Sequence, residues 1–159
     1  MRSLIASRLV LIDSDPLRRE ALGKALSELG SFEIAGIATV AETSSAPAPD
    51  LFLIEGPSLS ANDPGGFIVP NPFAASSIPA ILMLPEPTSE QRRLALRAGY
   101  TIVLAAPVPV RLLYRRVAQL LQNARRARRR AEAMAARSAA KRREEVSPHI
   151  APRAEASVH

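Results

Sequence analysis

Apolar residues gather in five short runs: RLVLID at 8–13, FEIAGIA at 32–38, LFLIE at 51–55, AILML at 80–84 and TIVLA at 101–105. Each run is largely continuous rather than alternating, the pattern of a strand covered on both faces. Between the first two runs, Leu17, Ala21, Leu22, Ala25, Leu26 and Leu29 recur at helical spacing, with Arg18, Arg19, Lys24 and Glu28 on the other face. Asp15 and Pro16 read as an N-cap followed by proline at the first helical position, and Gly30 as the stop. The segment 39–50 has room for a short helix, limited by Pro47 and Pro49. Residues 56–79 are rich in Gly, Pro, Ser and Asn and predict loop. Thr88 to Ala98 predicts a helix capped by Thr88 or Ser89 and stopped at Gly99, and Pro107 and Pro109 open a last helix running to about Glu145. Strands alternate with helical or loop segments throughout. The pattern predicts an α/β fold, an open parallel sheet of five strands with helices on both faces. In such sheets the functional crevice lies at the carboxyl ends of the strands, so Asp13 and Glu55 should share it.

Composition adds little to this and charge adds much. The chain has 159 residues and no cysteine, so disulfide and thiolate chemistry are excluded. Aromatics make up only 4%, so Leu, Ile, Val and Ala must build the core. The net charge of +6 is unevenly spread. Residues 1–110 carry 8 Lys/Arg against 11 Asp/Glu, whereas residues 111–145 carry 12 against 3. A mildly acidic globular part is thus joined to a strongly basic segment, which suggests two parts with different tasks. The division read from this is a domain over 1–122, a basic helical extension over 123–145 and a disordered tail over 146–159. The longest uncharged run, Pro64 to Pro85, contains five prolines and is rejected as a membrane span. Arg8 interrupts the N-terminal apolar stretch, so no signal peptide is read there. The expected location is the cytoplasm.

Four segments carry a family resemblance: LIDSDP at 11–16, PDLFLIEG at 49–56, IPAILML at 78–84 and LRAGYTIVLAAP at 96–107. In their order and spacing they resemble the receiver domains of bacterial response regulators, across roughly residues 8–122. Arg97-Ala98-Gly99, with Ala106-Pro107 eight residues after Ala98, is the most specific match of framework. The resemblance implies a flavodoxin-like fold and a role in two-component signal transduction and phosphorelay. It also implies an acid pair after the first strand to bind Mg²⁺, an acceptor Asp ending the third, a Thr or Ser ending the fourth, and a Lys ending the fifth. This chain departs from nearly all of these. Asp13 keeps the first acid, Ser14 stands at the second, and Asp15 follows. Glu55 stands at the acceptor position, Leu84 at the hydroxyl position and Ala106 at the lysine. Val103 stands where the family has its switch aromatic.

Each departure removes a piece of phosphoryl chemistry. Glu55 is one methylene longer than Asp and displaces the attacking oxygen, where positioning dominates the rate. Ala106 cannot neutralise charge on the transferring group, and Leu84 has no hydroxyl to offer it. The chain is therefore read as a degenerate receiver, a pseudo-receiver that works without phosphorylation. Glu55 keeps two readings, a permanent mimic of a phosphorylated Asp or a polar residue tolerated at a strand end. The second is favoured because a mimic needs Lys and Thr partners. Asp13, Asp15 and Glu55 offer the hard oxygens that suit Mg²⁺, but Ser14 weakens the cluster, so no metal and no cofactor is expected. No nucleophile–base pair or glycine-rich phosphate loop supports an enzyme, and His149 and His159 stand alone near the C-terminus.

Residues 123–145 contain no Gly or Pro and are rich in Ala and Arg, which predicts continuous helix. Leu113, Val117, Leu120, Ala124, Ala127, Ala131 and Met134 alternate four and three like a coiled-coil seam, though mostly through Ala. Arg125, Arg126, Arg128, Arg129 and Arg130 form a candidate surface for an acidic protein or a nucleic acid, or a solvated basic face. No aromatic interleaves them, so base stacking has no support. The resemblance implies a regulatory protein partner, such as a histidine kinase or another regulator, and a homodimer. The alternative is a nucleic-acid-associated transcriptional or antitermination regulator that uses the basic helix.

Overall fold

The computed structural model describes residues 6–45, 48–56 and 70–146. Five strands, β1 (Ser7–Ile12), β2 (Phe32–Ile37), β3 (Leu51–Glu55), β4 (Ala80–Pro85) and β5 (Ile102–Ala106), form one sheet. Every neighbouring pair is parallel, in the order β2-β1-β3-β4-β5. Among the described residues three α-helices accompany it: α1 (Pro16–Leu29), α2 (Ser89–Arg97) and α3 (Val110–Val146). A 3-10 helix covers Val40–Ser45, within the segment that has room for a short helix. The predicted loop lies partly outside the described residues, as does the predicted tail beyond Val146. Val146 itself ends α3 rather than opening that tail.

The strands separate two cores. Leu9, Leu11, Leu51, Leu53 and Ile81 pack with Leu26 of α1 and Leu113, Val117 and Leu121 of α3. Val10, Ile12, Phe52, Ile54 and Leu82 face the other way, against Ala95 of α2 and Tyr100. Leu11, Ile12, Leu53 and Ile54 are wholly buried, although they alternate between the two faces. That is why the runs read as continuous rather than alternating.

Local signals set the helix boundaries. Asp15 caps α1, its carboxylate accepting from the amides of Leu17 and Arg18. Thr88 caps α2 in a reciprocal capping box with Gln91. Gly99 leaves α2 with φ +97°, the left-handed backbone that favours glycine. Gly30 ends α1 as expected, with an extended backbone at φ −159°. Glycine is needed there for space. A Cβ would lie 2.8 Å from the Tyr114 ring and 3.0 Å from Phe32, a pair whose centroids are 5.9 Å apart. The α1 periodicity also needs correcting. Leu17 is 78% exposed and Leu29 is exposed too, while Leu26 is buried.

The last helix starts at Val110, after Pro107 and Pro109, and runs unbroken to Val146. Within it the chain divides into two units, Met1–Ala124 and Arg125–His159. In the second unit every described residue from Arg125 to Val146 is exposed, Met134 at 69%.

Candidate functional site

Strand register builds the site. Ile12 of β1 pairs with Ile54 of β3, so Asp13, just beyond β1, lies beside Glu55 at the end of β3. Glu55 pairs in turn with Met83, Leu84 with Ala105, and Pro85 with Ala106. Asp13, Glu55, Leu84 and Ala106 therefore line up along the carboxyl edge. Asp13 is buried at 1% exposure, Glu55, Leu84 and Ala106 are half-buried, and Ser14 is exposed. Val103 is buried at 8% in the second core, and its carbonyl accepts from Arg92 Nη1 at 3.0 Å.

The sequence pattern puts Arg18 and Arg19 on the outer face of α1, and the structure corrects this. Arg18 reaches back over the first turn. Its Nε donates to Asp13 Oδ2 at 2.6 Å and its Nη2 to Asp13 Oδ1 at 2.7 Å, a two-point clasp. The same Nη2 lies 3.4 Å from Glu55 Oε1, and Nη1 lies 4.0 Å from Asp15 Oδ2. Arg19 Nη1 donates to the Asp13 carbonyl at 2.6 Å, and the Asp15 amide donates to Asp13 Oδ1 at 2.9 Å. One guanidinium thus engages all three acids considered as metal ligands. Among the described residues no group of three or more His, Cys, Asp or Glu side chains is arranged to hold a metal ion.

These contacts decide the charge state of the site. Burial alone would raise the Asp13 pKa, but the Arg18 hydrogen bonds, the Asp15 amide and the charges of Arg18 and Arg19 outweigh it. The carboxyl is held below its usual range. Arg18 is raised above its ordinary value, chiefly by its hydrogen bonds to Asp13, against burial and with help from the Glu55 charge.

Leu84 packs beside the acceptor position. A Cβ on buried Gly56, the residue after Glu55, would collide with the Leu84 side chain. An isobutyl group thus fills space where the family resemblance places a small hydroxyl. The Ala106–Pro107 peptide is cis. Arg125, Arg126, Arg128, Arg129 and Arg130 are all exposed on α3 and belong to the second unit, whereas this edge belongs to the first. The signal that could have revealed Arg18 is its place in the first turn of a helix that starts soon after a strand-end acid.

No protein-family model matches the sequence, and no curated protein matches it. Solved structures match its fold. A CheY-like response regulator receiver domain protein from Methanospirillum hungatei superposes with a TM-score of 0.62 at 17% identity, covering 77% of this chain and 98% of its own. A two-component response regulator from Clostridium difficile gives 0.62 at 22% identity, over 73% and 96% of the two chains. NtrX from Brucella abortus gives 0.66 at 16% identity, over 80% of this chain and 29% of its own. The five-stranded parallel sheet thus has the fold seen in response-regulator receiver domains.

Proposed function

We propose that this chain is a receiver-like regulator that signals without phosphorylation, through protein–protein contacts. The observation that carries the reading is the Arg18 clasp. Phosphoryl transfer on a receiver-like edge requires a divalent cation between the acids and the incoming phosphoryl group. Here a tethered guanidinium takes both oxygens of Asp13 and reaches Glu55. A covalently tethered cation needs no capture from solution, so a metal competes at a disadvantage. The other two stabilising groups are missing as well, with Leu84 and Ala106 at their positions. Glu55 then serves as one half of an internal ion pair, which weakens its reading as a phosphomimetic.

A regulatory protein, such as a histidine kinase or another regulator, is the partner class this reading names, and the chain does no catalysis of its own. A second reading, a nucleic-acid-associated regulator, is favoured by Arg125, Arg126, Arg128, Arg129 and Arg130, all exposed on one helix.

The test is incubation of the full chain, and of a Glu55→Asp variant, with acetyl phosphate and Mg²⁺, followed by intact-mass spectrometry. Neither protein is expected to gain a phosphoryl group. A stable acyl phosphate on the natural chain would overturn the proposal. Its appearance on the variant alone would show that the edge still has its catalytic geometry.

A further inference from the structure

In the second unit, α3 is exposed from Arg125 to Val146, yet its charges are not spread evenly round the helix. At 3.6 residues per turn the basic residues fall into three rows. Arg125, Arg129 and Arg143 form a central row. Arg126, Arg130, Arg137 and Lys141 flank it on one side, and Arg128 and Arg142 on the other. Glu132 lies beside the central row, and Glu144 ends the longer flank. The remaining strip carries Ala127, Ala131, Met134, Ser138 and Glu145 and no basic residue.

Cations thus cover three sides of the helix, and this bears on the shape of the partner. A flat acidic protein face meets one side of a helix and leaves the other rows in solvent, whereas a groove meets three. The major groove of B-form DNA is about 12 Å wide, and a helix with its side chains is about 10–12 Å across. Phosphates line both walls, opposite the flanking rows, and base edges form the floor under the central row. The major groove of duplex RNA is too deep and narrow for side chains to read. Single strands are held by stacking on aromatic side chains, and residues 125–146 contain none. All the cations but Lys141 are arginines, whose planar forks match phosphate oxygens. Two cations have partners within the helix. Lys141 Nζ lies 3.9 Å from Glu145 Oε1, and Arg142 Nε donates to the Ser138 carbonyl at 3.3 Å. Both contacts are long and exposed to solvent, so a phosphate displaces them at little cost.

We propose that α3 from Arg125 onward binds in the major groove of B-form duplex DNA, with Ala127, Ala131 and Met134 turned outward. The inference rests on the nucleic-acid reading of this helix and adds the duplex form, the groove and the orientation. It is independent of the Arg18 edge.

The experiment follows fluorescence anisotropy of labelled DNA and RNA duplexes, equal in length, titrated with the full chain, and uses polyglutamate as a competitor. The DNA duplex is expected to bind at least about tenfold more tightly than the RNA duplex. Two double variants then test the orientation. Arg126→Gln with Arg129→Gln, and Ala127→Glu with Met134→Glu, each lower the net charge by two. All four positions are exposed and all four replacements are good helix formers, so the helix persists. The arginine pair should weaken DNA binding by about tenfold or more, and the outer pair by less than about threefold. Equal weakening by the two pairs would overturn the proposal, because net charge alone would then govern binding. Equal affinity for the RNA duplex would overturn the groove while the nucleic-acid reading stands. Displacement by polyglutamate as readily as by unlabelled DNA, or no binding of either duplex, would overturn both.

Discussion

Arg18 shows how one side chain can decide the chemistry of an edge. It is 51% exposed along its side chain, yet it clasps a carboxylate that is 1% exposed. Breaking a fully buried ion pair costs about 3–5 kcal/mol. Water screens the exposed half of Arg18, so Arg18→Ala is expected to cost about 1–2 kcal/mol. The loss should also leave Asp13, Asp15 and Glu55 without their shared cation. Millimolar Mg²⁺ should then raise the melting temperature of Arg18→Ala while leaving the natural chain unmoved. Calorimetry with and without Mg²⁺ checks this, and equal shifts in both proteins would contradict the internal-cation account. Asp13 gives the matching prediction in pH. Its folded pKa lies below the ordinary value of 3.8. The stability it lends is therefore complete above that value and is lost as pH falls through the lower folded value. In urea titrations from about pH 5 to 2, the natural chain should lose stability more steeply than Asp13→Asn. Identical slopes would place the acid sensitivity elsewhere.

Elements carry the next layer of cause. The contact between Gly56 at the exit of β3 and Leu84 in β4 ties two adjacent strand ends together. Gly56→Ala is expected to destabilise by about 1–3 kcal/mol, through overpacking against Leu84. Adding Leu84→Ala should recover much of that cost, giving a non-additive cycle in chemical denaturation. Additive losses would mean that the two side chains do not meet. This contact was not legible in the sequence, because it depends on a register of β3 against β4 that no local pattern encodes. The strands themselves were legible, since a five- or six-residue run of Leu, Ile and Val has few alternatives once both faces are covered. The caps at Asp15 and Thr88 were readable for the same reason, as they depend only on neighbours within a turn. Leu17 and Arg18 misled. Helical periodicity gives an apolar stripe its direction, but the first turn of α1 lies at the sheet edge. There Leu17 has no layer above it, and Arg18 finds carboxylates from two strands. Gly30 was legible as the stop of α1, whereas the Phe32–Tyr114 pair that needs its small size, brought together by β2 and α3, was not. The positions along the carboxyl edge were legible through the family resemblance, whereas the cation that neutralises them was not.

For the whole molecule, charge separates the two units. Residues 1–124 hold 11 Lys/Arg and 11 Asp/Glu, and residues 125–159 hold 10 against 4, so the second unit carries the entire net charge of +6. A helix exposed on every side from Arg125 to Val146 buries no apolar stripe of its own. Its persistence rests on Ala and Arg propensity and on continuity with a helix anchored by Leu113, Val117 and Leu121. Charge and helicity can therefore be uncoupled. Replacing Arg125, Arg126, Arg128, Arg129 and Arg130 together by Gln keeps good helix formers at all five positions, so far-ultraviolet circular dichroism should be unchanged. What should change is the response to polyanions. Each phosphate that an arginine no longer neutralises takes about 0.9 from the slope of log affinity against log salt, so five together take about 4.5. Fluorescence anisotropy with duplex DNA across a NaCl series measures that slope. A natural chain whose slope is already near zero would remove the nucleic-acid reading and leave acidic protein surfaces as the target of the helix. A steep slope that survives the substitution would assign DNA binding to other basic residues, with Arg137, Lys141, Arg142 and Arg143 the next on the same helix.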